Sequence, residues 1–179
     1  MNVKKTFENI SIRGRIAYAI MCAENYVLEK YPNRNWKPLF CELWKIASSD
    51  IYWDQWAERI IEIIPEYLFE FPDYETSDFE YLTKQEYELF SKLQAKMPKD
   101  WNTILQTIYD MEEINAYTNV HGVGIDTLIL LEKIVDIIKK GNVKFPDPKA
   151  VSFSAFSQRE GRGDPFDTKK LSTIIWSRE

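Results

Sequence analysis

A mainly α fold is predicted: an irregular bundle of about six helices with a C-terminal extension patterned like a short β-hairpin. Three observations carry that prediction. Apolar residues recur at three- and four-residue spacing through most of the chain between residues 11 and 140. The stretches so patterned are separated by helix punctuation: Pro32, Pro65, the capping box Thr83-x-x-Glu86 and Gly141-Asn142. Beyond residue 145 the texture changes to two short apolar runs, 151–156 and 171–176, on either side of glycines at 161 and 163. With 179 residues the chain suits one domain, the bundle over 1–145 and the extension over 146–179 packed on it.

The first helix is expected over 11–31, with Ile12, Ile16, Ala19, Ile20, Ala23, Tyr26 and Val27 on one face. Pro32 stops it. A second opens at Asn35 with Pro38 in its first turn and a stripe of Trp36, Leu39, Phe40, Leu43, Trp44 and Ala47, and Ser48-Ser49-Asp50 breaks it. The third carries Trp53, Trp56, Ala57, Ile60, Ile61 and Ile64, and should end or kink at Pro65. Residues 70–82 lack a clean period and read as a long connection. Thr83 and Glu86 open the fourth helix, through Leu89, Phe90 and Leu93. Asp100 is the expected cap of the fifth, with Trp101, Ile104, Leu105, Ile108 and Met111, and Asp126 that of the sixth, with Leu128, Leu131, Ile134, Val135 and Ile138.

Charge is unevenly placed. The net charge is −5, but residues 1–64 carry +1, residues 65–140 carry −8 and residues 141–179 carry +2. Such a field repels phosphates, so no nucleic-acid partner is expected. No run reaches the roughly 18 apolar residues of a membrane span, and Glu8, Asn9, Arg13 and Arg15 interrupt any signal-peptide core. Cys22 and Cys41 lie in helical patterns that suit reduced thiols, which points to a cytoplasmic address.

Bond-making chemistry finds little support. One histidine, His121, and two cysteines 19 residues apart cannot build a zinc site, so no metal or cofactor is expected. Gly122-Val123-Gly124 precedes a helix but follows no strand, unlike a phosphate cradle. Glu112 and Glu113 are helix neighbours pointing in different directions, which reads as a solvated acidic face. A Cys22 or Cys41 nucleophile with His121 as base remains an alternative, as does a helical adaptor that self-associates through exposed rings. The triplet Arg162-Gly163-Asp164 reads as a glycine turn rather than an adhesion signal.

Segment 66–88 is the richest. It sets eight carboxylates against one base, Lys84, and interleaves Phe69, Phe71, Tyr74, Phe79, Tyr81 and Tyr87. Carboxylates dense on one side, with rings able to fill pockets, suit a rapid and tight grip on a basic protein. The candidate contact residues are Glu70, Asp73, Tyr74, Glu75, Asp78, Phe79, Glu80 and Tyr81.

The opening I-R-G-R-I-A-Y-A-I-x-C-x-E-N (12–25), the Trp36…Leu43-Trp44 helix and the closing G-R-G-D-P-F-D-x-x-K-L-S-x-I-I (161–175) resemble small helical bacterial immunity proteins of polymorphic or contact-dependent toxin systems. The likeness runs over nearly the whole chain. Arg162 departs from the group's pattern, in which a tryptophan commonly stands between the two glycines. The resemblance implies a non-enzymatic protein that binds and neutralises a cognate toxin, many such toxins being nucleases with basic clefts.

Overall fold

The computed structural model describes residues 1–47, 52–116 and 119–176; the break expected at Ser48-Ser49-Asp50 lies outside them. The fold is mainly α. Helix α2 (Ile12–Lys30) is its axis: 15 of its 19 residues are buried, so the single apolar face expected from the spacing becomes burial on nearly every side. Ser11 starts it, its hydroxyl accepting the Gly14 N–H at 3.1 Å. Small residues let neighbours approach closely. A Cβ at Gly14 would lie 2.6 Å from the Ile10 side chain. A short helix that the spacing did not announce, α1 (Val3–Phe7), precedes α2 and buries Val3 and Phe7.

Helix α3 (Lys37–Leu43) tightens into a 3-10 turn over Trp44–Ala47. Helix α4 (Trp53–Ile61) buries Trp56, Ala57 and Ile60, and Pro65 opens a new turn, α5 (Pro65–Leu68), rather than kinking a continuous helix. Helix α6 (Lys84–Gln94) begins with the Thr83–Glu86 capping box in full. Helix α7 (Lys99–Ala116) lies against α2 and α4, and α8 (Ile125–Lys140) against α2 and α7. Neither acidic cap is used as expected. Asp100 stands inside the first turn of α7, and α8 is preceded by Gly124 at φ 60°, where the left-handed backbone replaces a side-chain cap. At the far end of α8 the left-handed residue is Asn142, at φ 52°, and Gly141 stays helical.

Three tryptophans anchor the interior. Trp101 packs with its ring centroid 5.3 Å from Trp36 and 6.0 Å from Tyr26. Each buried indole N–H among Trp36, Trp56 and Trp101 has an acceptor: Tyr31 O, Glu42 O and Gln94 Oε1. These rings bury area without leaving donors unpaired.

The tail corrects the hairpin expectation. Among the described residues no strand forms, and the runs 151–156 and 171–176 do not pair. Instead the tail is a series of 3-10 turns, Pro148–Val151, Gln158–Gly161 and Thr168–Lys170, with one isolated antiparallel bridge from Ile10 to Ala155. The cause is competition for backbone partners. Ser11 N–H donates to Ser154 O (2.8 Å), Arg13 N–H to Arg162 O (3.0 Å), Phe156 N–H to Asn9 O (2.9 Å) and Phe166 N–H to Ala47 O (3.0 Å), so the tail bonds to the start of α2 and the turn after α3 rather than run to run. Gly161 and Gly163 take φ of 91° and 87°, as a glycine turn requires. Arg162 is half-buried, its guanidinium 5.7 Å from the Trp53 ring, which fits a turn built into the fold.

Candidate functional site: an acidic aromatic arm

Residues 66–88 begin within α5, pass through a 3-10 turn (Tyr74–Thr76), and run into α6. The segment stays at the surface. Its backbone is nonetheless held, because the buried carboxylate of Glu62 accepts three successive N–H groups, from Glu80 (2.7 Å), Tyr81 (3.0 Å) and Leu82 (2.8 Å). Arg59 clamps the same stretch by donating to Tyr81 O (2.6 Å) while it pairs with Glu42 (2.8 Å) and Glu86 (2.5 Å). Spacing alone could not name Glu62, although an acid among Ile60, Ile61, Ile63 and Ile64 was the available signal.

The eight predicted contact residues divide into four groups. Glu70 and Glu80 are exposed, and their side chains make no hydrogen bond among the described residues. Asp73, Glu75 and Asp78 are exposed but used locally: Asp73 accepts the Thr76 N–H at 3.0 Å, Asp78 the Tyr67 hydroxyl at 2.9 Å, and Glu75 pairs with Lys84, which holds its carboxyl below the ordinary range. Tyr74 and Phe79 are half-buried. Phe79 sits among Tyr67, Phe71, Tyr74 and Tyr87 at centroid distances of 5.6 to 6.2 Å, so these rings form a miniature core that stiffens the arm. Tyr81 is the exposed ring of the set, 40% accessible, with its hydroxyl donating to Glu58 at 2.8 Å. Phe69 and Leu89, not on the predicted set, add exposed apolar surface at 46% and 44%.

Substituting Glu62→Gln is expected to loosen the arm without altering its exposed charge, because an amide NH2 must then face a backbone donor. A loss of about 2 kcal/mol is expected, measured as a lower urea midpoint, with faster hydrogen exchange confined to the amides of 80–82.

The alternative chemistry draws on Cys22, Cys41 and His121, of which Cys41 is an exposed free thiol. Cys22 is fully buried, and burial pushes its thiol far above the ordinary range, away from the thiolate a nucleophile needs. His121 is exposed in the turn before α8 and shares no hydrogen bond with either thiol among the described residues. No group of three potential metal ligands occurs among them either.

Two buried charges were misread or missed. Glu112 does not lie on a solvated face: it is fully buried on the inner side of α7, and neither carboxylate oxygen has a hydrogen-bond partner among the described residues, whereas Glu113 is exposed. Desolvation, reinforced by Glu113 and Asp54 and opposed by Arg162, pushes its carboxyl up to about 8. A carboxyl raised in the fold lends most stability below its unfolded value and loses that contribution as pH climbs toward about 8. Glu112→Gln should therefore stabilise the protein at pH 7 by about 2 kcal/mol, after allowance for screening, and by nothing at pH 4. Thermal melts of both proteins from pH 4 to 9 check this.

Arg15, also fully buried, meets no carboxylate among the described residues. It donates instead to carbonyls of Phe7 (3.1 Å), Glu8 (3.2 Å), Val123 (2.8 Å) and Gly124 (2.8 Å) and to the Thr127 hydroxyl (2.7 Å), tying α1, α2 and α8 together. Desolvation lowers its guanidinium to about 10.

The opening motif (12–25), the Trp36…Trp44 helix and the closing motif (161–175) meet at one residue. Glu24 of the opening motif accepts hydrogen bonds from the Trp44 indole (2.7 Å), the Ser172 hydroxyl (2.5 Å), the Thr173 N–H (2.7 Å) and the Thr173 hydroxyl (2.9 Å). The motifs are thus a packing signature, spatially separate in role from the arm.

Fold and site together define a class: a mainly α protein whose most distinctive surface is a braced arm of carboxylates and rings. No family model, curated protein or solved structure matches the chain. Among the described residues no helix is long and apolar enough to cross a membrane.

Proposed function

We propose that this chain is an immunity protein, acting in the cytoplasm of a bacterium by binding a cognate toxin with a basic surface and neutralising it. The observation that carries the reading is the exposed carboxylate ridge of Glu66, Glu70, Asp73, Asp78 and Glu80 on a backbone braced by Glu62 and Arg59. Charge on a fixed frame steers a basic partner into register and saves the cost of ordering a loop on binding. Tyr81 and Phe69 are the exposed rings positioned to enter pockets on that partner, while Tyr74 and Phe79 stiffen the arm from beneath. Occlusion of a basic cleft needs no catalytic group, in keeping with a sealed Cys22 and an exposed His121.

The test is to mix the purified chain with the toxin domain encoded beside it. A stoichiometric complex that abolishes toxin activity is expected. Absence of a complex at micromolar concentrations, or a complex that leaves the toxin active, would remove the reading.

A further inference from the structure

We propose that the turn between α2 and α3 forms a second binding site, for a small anion, carboxylate or phosphate, attached to an apolar body. Two cavities of about 330 and 400 Å³ meet there and share Arg34 and Asn35 in their walls. Volumes of this size fall at the lower end of the range of small-molecule sites. Among the described residues their charged walls are uniformly basic, Arg34 and Lys37 in one and Arg34 and Lys92 in the other, with no carboxylate in either. In a chain of net charge −5 that segregation is specific to the place. Leu28, Trp36 and Ile174 supply apolar wall on one side of Arg34, and Leu89 and Leu93 on the other.

Arg34 is set up to receive an anion. Pro32 ends α2, and the side chain folds back so that Nη1 donates to Leu93 O at 2.7 Å. The guanidinium lies over two rings, 5.3 Å from the Tyr31 centroid and 6.0 Å from that of Trp36. One arm of the fork is thereby spent on holding position. No hydrogen bond to Nε or Nη2 and no ion pair of Arg34, Lys37 or Lys92 occurs among the described residues. A planar, pre-positioned fork binds a carboxylate or phosphate through two parallel hydrogen bonds without first losing side-chain freedom. The site does not rest on the toxin reading: none of these three bases belongs to the arm, although Leu89 borders both.

Phenyl phosphate is the probe, followed by the NMR shifts of the Arg34 Nε–H and the Trp36 indole N–H in the intact chain. Binding with a Kd on the order of 1 mM is expected. Lys92→Gln and Lys37→Gln should each weaken it about threefold, and Arg34→Lys, which keeps charge but loses the fork, about fivefold. Benzylamine should not bind. Inorganic phosphate should bind at least fivefold more weakly; equal binding would overturn the apolar part of the assignment. No shift up to 20 mM phenyl phosphate, about twenty times the expected Kd, or binding indifferent to both Lys92→Gln and Arg34→Lys, would overturn it altogether.

Discussion

Replacing Glu24 with alanine is expected to cost about 4 kcal/mol, because buried donors left without an acceptor cost about 1–3 kcal/mol each. The carboxylate is 1% exposed and serves the Trp44 indole, the Ser172 hydroxyl and both polar groups of Thr173. Removing it unpins the tail from α2 and the 3-10 turn after α3 at once. For a chain of this length the melting temperature should fall by about 10 °C. Glu24→Gln keeps one acceptor oxygen but turns an amide donor toward the others, so it should recover less than half of the loss. Calorimetry on the two variants distinguishes a hub from a bystander: a drop below 3 °C for Glu24→Ala, where about 10 °C is expected, would show that the tail is held elsewhere.

The second large effect is expected at Gly163. A methyl there would sit 2.1 Å from Ser11 Oγ and 2.7 Å from Ser11 Cβ, on a backbone at φ 87°. Left-handed backbone costs a non-glycine residue about 1–2 kcal/mol and overpacking a further 1–3, so Gly163→Ala should destabilise by about 3 kcal/mol. The neighbouring hydrogen bond between Ser11 and Ser154, at 2.6 Å, must break or shift to admit the methyl group. Gly122 is the internal control. It also has positive φ, 57°, but nothing lies within 4 Å of an added Cβ, so Gly122→Ala should lose only the backbone share, about 1 kcal/mol. Denaturant midpoints of the pair separate steric from conformational cost. Equal losses would mean that the tail does not press on Ser11.

How much of this was legible follows from the range of each interaction. The helices were readable because periodicity and caps are local: Ser11, the Thr83–Glu86 box and Pro65 each act within one turn of their own position. The arm was readable as acidic and aromatic for the same reason, since composition needs no partner. What holds it was not. Glu62 meets its three N–H donors 18 to 20 residues away, and Glu24 meets Ser172 at a separation of 148, distances at which spacing carries no signal. Glu112 was misjudged because diverging helix neighbours leave open which of the two faces water. The tail was misjudged because β-like runs are chosen by available partners, and the partner was the start of α2. Arg159 and Glu160 both take positive φ, 44° and 54°, a conformation no composition rule assigns to them, in the turn that leads to Gly163 against Ser11.

The central claim is that a braced acidic arm captures a basic protein. Stopped-flow association with the proposed cognate toxin, across a range of salt, probes it for the wild type and for Glu70→Lys/Asp78→Lys/Glu80→Lys. Electrostatic steering raises on-rates by about 10 to 1,000-fold, so the triple variant should associate at least about 30 times more slowly at low salt and lose most of its salt dependence. The control Glu132→Lys/Asp136→Lys, on the exposed side of α8, should bind like the wild type. An unchanged rate for the arm variant, or a slower one for the α8 control alone, would contradict the account.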